Sequence, residues 1–176
     1  EFNDSFPRIS YADAMEYYGS DKPDIRFGMK LQTITSKVQG HGFALFDSVE
    51  YVGAIVVPGC AEYSRKQLDE LTEWVKRPQI GAKGLIYIKE GKEGIKSSID
   101  KFFSAEELSG ILKEVSANKG DLVLILCGNG KKMRTALGTL RIEMGNRLGL
   151  RDNKVFKPLW VYDFPLLEWD DETSRF

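Results

Sequence analysis

Residues 121–127 read Asp-Leu-Val-Leu-Ile-Leu-Cys, and this aliphatic run constrains the fold more than any other stretch. Five large apolar side chains in a row, closed by Gly128, are too few for a helix and fit a buried strand. Tyr51–Val57 is a second run, apolar and β-branched, stopped by Pro58-Gly59; it reads as a strand buried on both faces. Residues 84–89, Gly-Leu-Ile-Tyr-Ile-Lys, read as a third strand. After a turn at Gly91 and Gly94, residues 95–99 form a short one, and Lys157–Phe164 is the last, followed by the acidic stretch Glu168–Glu172.

Helices lie between these strands. Ser10 is a good N-cap, with Asp13 three residues on; Tyr11, Ala14, Met15 and Tyr18 share one face, and Gly19 is placed to stop the helix. Gly19-Ser20-Asp21-Lys22-Pro23-Asp24 is turn chemistry, so residues 19–28 are expected as an ordered loop. Ser64 caps a helix whose apolar stripe is Leu68, Leu71, Trp74 and Val75. Ser104 and Glu107 form a capping box ahead of Leu108, Ile111, Leu112 and Val115. The last helix runs from about Lys131 to Leu148, with Met133, Leu137, Leu140, Met144 and Leu148 at helical spacing. Mixed strand and helix order over about 120 residues predicts a two-layer α/β sandwich and leaves the strand directions open.

The chain is 176 residues long, 42% hydrophobic and 29% charged, with a net charge of −1, so no global field draws it to nucleic acid. No apolar run approaches the roughly 20 residues of a membrane span. Cys60 and Cys127 have no metal-ligand spacing and read as small core residues in a reducing compartment, which predicts a cytoplasmic protein. Glu1, not Met, opens the chain, which is therefore expected to begin inside a longer product.

Candidate chemistry is sparse. Gly128-Asn129-Gly130-Lys131-Lys132 joins a strand to a helix, where backbone amides could cradle a phosphate. The Walker pattern needs four residues between its glycines and Ser or Thr after the Lys, so a tight turn is the simpler reading. His41, between Gly40 and Gly42, has no adjacent carboxylate to orient it and reads as a surface residue. Two basic groups are candidates for phosphate-backbone contact: Lys22, Arg26 and Lys30, and then Lys131, Lys132 and Arg134. The second group sits at a helix N-terminus, where cations oppose the macrodipole; that mismatch is an argument for an outside anion, and a solvated charged face is the simpler reading of both groups.

Several stretches resemble bacterial aspartyl-tRNA synthetases. They include Phe6-Pro7-Arg8-Ile9-Ser10-Tyr11, the run from Tyr18-Gly19-Ser20-Asp21-Lys22-Pro23-Asp24 to Gly28, and Val57-Pro58-Gly59. Gly81-Ala82-Lys83-Gly84-Leu85, Ala136-Leu137-Gly138-Thr139-Leu140-Arg141, and Leu159-Trp160-Val161 with Asp163-Phe164-Pro165 continue the match in order. The resemblance implies an internal piece of a class II enzyme that joins aspartate to tRNA using ATP and Mg2+. It centres on an inserted module, the GAD domain, expected to be α+β with a mainly antiparallel sheet and helices on one face. The implied organisation is a catalytic-domain flank at residues 1–27, the insert at 28–150, and a second flank at 151–176. The parent's arginine-bearing motifs and its His-His-Pro-Phe loop have no counterpart here, so catalytic residues are expected to be none and the piece alone inactive. Expected partners are tRNA, the rest of the synthetase and a second copy in a parent homodimer. A module near the tRNA acceptor stem is the first reading; a structural or protein-interaction insert is the alternative.

Overall fold

The computed structural model describes residues 6–167, 173 and 175. The acidic stretch 168–172 lies outside the described residues. The elements in chain order are β1 (Arg8–Ser10), α1 (Tyr11–Tyr18), β2 (Gln32–Thr33), α2 (Thr35–Val38), α3 (Ala44–Asp47), β3 (Tyr51–Val57) and α4 (Arg65–Val75). There follow β4 (Ile86–Gly91), β5 (Gly94–Ser97), α5 (Ala105–Glu114), β6 (Leu122–Gly128), α6 (Gly130–Arg147) and β7 (Trp160–Tyr162).

The two apolar runs become neighbours. β3 and β6 pair antiparallel along their whole length, from Tyr51↔Gly128 to Val57↔Leu122. They form the centre of a five-stranded sheet ordered β2-β3-β6-β4-β5, with every neighbouring pair antiparallel. Period-two alternation then sends their side chains to opposite faces. Ile55, Val57, Leu122, Leu124 and Leu126 pack beneath α4 and α6, against Leu68, Leu71, Leu137, Leu140 and Met144. Val52, Ala54, Val123 and Ile125 face the other way, toward Val38, Phe46, Leu108, Ile111 and Leu112. Each buried Leu or Ile in these clusters stabilises the fold by about 1.5–3 kcal/mol relative to exposure.

The α+β class and the antiparallel sheet agree with the expectation. The helical cover differs: there are helices on both faces, not one. The physical reason is in the strands themselves, since uninterrupted apolar runs cannot leave either face in water.

The caps behave as their chemistry dictates. The Ser10 hydroxyl accepts from the Asp13 amide at 3.0 Å, and Gly19 closes α1 at φ +64°. Ser64 with Gln67, and Ser104 with Glu107, are complete capping boxes. The last strand is shorter than the predicted 157–164, spanning only Trp160–Tyr162. It pairs in parallel with β1, so the two flanks of the chain meet: Arg8↔Trp160, Ile9↔Val161 and Ser10↔Tyr162.

Candidate functional site

Helix α6 has two buried faces. One, carrying Met133, Leu137, Leu140 and Met144, covers the sheet. The other carries Arg134, Gly138, Arg141 and Gly145, spaced at one to two turns, and docks α1 and the loop behind it. A Cβ on Gly138 would lie 2.3 Å from the Tyr18 carbonyl oxygen, and one on Gly145 would lie 2.7 Å from the Phe27 ring. Gly138, which faces backbone, therefore requires the absence of a side chain, and at Gly145 a side chain would displace the Phe27 ring.

Between these glycines sits Arg141, which is 1% exposed. Its Nη2 donates to the main-chain oxygens of Asp24 at 2.9 Å, Phe27 at 2.8 Å and Gly28 at 2.8 Å, and its Nε donates to Gly28 at 3.0 Å. The guanidinium also stacks over the Phe27 ring at 4.0 Å and near the Tyr18 ring at 4.9 Å. Burial lowers its pKa to about 10, still high enough to keep the charge at neutral pH. The loop 24–28 is thus wound around a buried cation.

The loop is gripped from its other side too. Asp24 accepts from Arg26 Nε at 2.9 Å and Nη2 at 2.7 Å, and from Arg151 Nε at 2.9 Å. The Arg26 hydrogen bonds, with help from Arg151, hold its carboxyl well below the usual carboxylate range. Arg26 also donates from Nη1 to the Asp152 carbonyl at 2.7 Å. Residues 24–28 and 151–152 are therefore clasped to each other.

These contacts determine what the predicted basic residues are doing. Arg26 is bound internally. Lys22 is 87% exposed at its side chain, 3.8 Å from Asp21. The Lys30 ammonium lies 5.3 Å from the Tyr17 ring centre, at the surface. Lys131 and Lys132 are exposed, and the Lys132 amide donates to the Asn129 cap at 3.2 Å. Arg134 turns inward: its Nε is 2.9 Å from a Glu16 carboxylate oxygen and its guanidinium lies over Tyr51 at 4.4 Å. Ser20 and Asp21 line the same open cleft as Thr135, one turn beyond Lys131, so the structure brings Lys22's loop toward the start of α6.

A carboxylate of the chain itself stands at that helix start. Glu50 Oε1 accepts from the Gly130 amide at 2.9 Å, satisfying one of the free N–H groups and countering the helix dipole. One backbone amide of the Gly128–Lys132 turn is thus already engaged within the chain. Elsewhere, His41 does have a carboxylate, though a distant one in sequence: Nδ1 lies 2.8 Å from Glu107 Oε1, the side chain that also closes the α5 capping box. Cys60 is buried, and burial pushes both thiols, Cys60 and Cys127, above their ordinary pKa. Among the described residues, no three His, Cys, Asp or Glu side chains come together to hold a metal ion. No helix there is long and apolar enough to cross a membrane.

Sequence reasoning missed Arg141 and Glu50 as structural centres. Arg141 carried a signal, because it follows Leu137 by four residues and so lies toward the buried side. Two interior helix glycines flank it, each costing roughly 1 kcal/mol against Ala unless close packing requires them. Glu50 carried none, since its partner is 80 residues away.

The comparisons with known proteins bear on the whole chain. The family model described as GAD domain matches residues 46–137. Aspartate–tRNA ligase of Azobacteroides pseudotrichonymphae is 58% identical over 172 residues, covering 97% of this chain and 30% of the relative. Those of Porphyromonas gingivalis and Parabacteroides distasonis are 51% and 53% identical, each covering 100% of this chain and 30% of the relative. The chain thus spans about 30% of the length of the curated relatives it matches.

Proposed function

The chain belongs to the GAD domain family, and on that premise we propose that it is the inserted, non-catalytic part of an aspartate–tRNA ligase, lying beside the tRNA acceptor stem. The observation that carries this reading is the match to named ligases at 51–58% identity over 97–100% of the chain. The organisation we propose is 1–27 and 151–176 as flanks of the catalytic domain and 28–150 as the insert. Pairing of β1 with β7 supports it, because the two flanks form one structural unit while everything between them is looped out.

ATP and Mg2+ would be bound by the remainder of the ligase. Three carboxylates of this chain are already engaged internally: Asp24 by arginines, Glu107 by its own capping box and His41, and Glu50 by the Gly130 amide. The module acts by contact with tRNA, in a parent that is cytoplasmic and pairs with a second copy. Lys22, Lys30, Lys131 and Lys132 are exposed cations placed to touch phosphates, whereas Arg26 and Arg134 hold Asp24 and Glu16.

That internal engagement favours a second reading, a structural insert without direct tRNA contact. One experiment separates the two. In the full-length ligase, neutralising Lys22, Lys30, Lys131 and Lys132 to Gln is expected to raise the KM for tRNA and leave aspartate activation unchanged. The salt dependence of tRNA binding should weaken with them, by about 0.7–0.9 in the log–log slope per lost phosphate contact. Unchanged KM and unchanged slope leave the structural reading in possession.

A further inference from the structure

We propose that Arg141, acting with the Asp24–Arg26–Arg151 clasp, is a positioning device that fixes the angle at which the insert stands on its flank. This rests on the ligase reading for its consequence in catalysis, though not for its geometry.

A lone guanidinium at 1% exposure is an expensive choice, since a buried charge loses its hydration and an apolar side chain of similar size would fill the space at less cost. What it supplies is direction. Its contacts to the oxygens of Asp24, Phe27 and Gly28 hold three main-chain carbonyls at fixed bearings around one planar group. An apolar replacement fills the volume and fixes nothing. The neighbouring surfaces leave no slack: Gly138 lets the end of α1 touch α6 backbone to backbone, and Gly145 seats the Phe27 ring.

The placement gives the device its role. Residues 24–28 carry the chain from α1 toward β2, and Arg151 and Asp152 carry it from α6 back toward β7. Asp24, held by Arg26 and Arg151, joins the outgoing and returning segments directly. Arg141 ties the outgoing segment to the helix that covers the sheet. These four side chains, with the Arg134–Glu16 ion pair and the close approach of α1 to α6 at Gly138, restrain the insert from pivoting on β1 and β7. A module that must present a surface to a large substrate needs such a fixed bearing, because a displacement of about 1 Å far from the chemistry can cost about a hundredfold in rate.

The test uses full-length ligase carrying Arg141→Met, which keeps the volume and removes the donors, and Arg141→Lys, which keeps the charge and loses the fork. Three readouts are taken: aspartate-dependent pyrophosphate exchange, the KM and kcat of tRNA charging, and the distance distribution between spin labels at Ala12→Cys on α1 and Lys66→Cys on α4. Arg141→Met is expected to leave exchange within twofold, raise the KM for tRNA by about tenfold, and broaden the label distances; Arg141→Lys should recover part of each. An unchanged distance distribution in Arg141→Met overturns the positioning role, whatever the kinetics do. A broadened distribution with unchanged tRNA KM supports the geometry and instead removes the acceptor-stem reading. Should Arg141→Met fail to fold, Arg151→Met, which loosens only the partly exposed half of the clasp, is measured in the same way, and unchanged distances there overturn the proposal.

Discussion

Gly138→Ala is the sharpest test of the packing described for α6. In an isolated helix this change is favourable by roughly 1 kcal/mol, because Ala loses less backbone entropy than Gly. Here the added Cβ would sit 2.3 Å from the Tyr18 oxygen and 3.1 Å from the Gly19 Cα. Ordinary contact is longer by about 1 Å or more, so one element must move. Neither is placed to do so. α6 is packed on the sheet through Leu137 and Leu140, both 0% exposed. The end of α1 is fixed by Gly19, whose φ of +64° closes the helix and whose own Cβ would lie 2.1 Å from the Arg134 oxygen. Overpacking of this kind costs about 1–3 kcal/mol net. At this chain length each kcal/mol moves the Tm by about 2–4 °C, so a fall of about 2–12 °C is expected. Gly110→Ala provides the control. It lies inside α5, with nothing within 4 Å of its would-be Cβ, and should gain about 0.5–1 kcal/mol from helix propensity alone. Thermal and urea unfolding of the two variants beside the parent chain settles the matter. Equal stabilisation by both would refute the close approach of α1 and α6.

Two further outcomes follow from the electrostatics. Glu50→Gln keeps an acceptor near the Gly130 amide but removes the charge, and should destabilise by about 0.3–1 kcal/mol, less at high salt, measured by urea unfolding at two ionic strengths. Asp24 has a folded pKa depressed below its unfolded value of about 3.9, so its contribution is fully present above that pH and lost as pH falls through the folded pKa. Asp24→Asn should therefore be less stable at pH 7 and show a shallower loss of stability below about pH 4 than the parent chain, and an unchanged acid limb would contradict the clasp.

Much of this was legible in the sequence because it is local. Ser10, Ser64 and Ser104 begin helices where their hydroxyls reach an amide three residues on, a relation that sequence alone displays. The aliphatic runs at 51–57 and 122–126 are strands because no other element uses them so fully. The misses are all non-local. α2 and α3 are four residues each and exist because Val38 and Phe46 fill the far face of the sheet, not because their own sequences insist on helix. β1 and β2 are set by pairing with distant strands. The two basic groups looked alike in sequence, yet Arg26 and Arg134 hold the partly buried Asp24 and Glu16, while Lys22, beside its neighbour Asp21, and Lys132 stay at the surface. No spacing rule separates those outcomes.

The parallel pairing of β1 with β7 has a consequence for how a long loop can be carried on a short base. The polypeptide leaves one strand at Ser10 and, about 150 residues later, resumes beside it at Trp160, running in the same direction. Strands so paired stand only about 4.8 Å apart. The chain thus departs and returns at two adjacent strands, the same footprint that a simple crossover leaves. A change of length inside the loop that they bracket leaves the spacing of those two strands as it is.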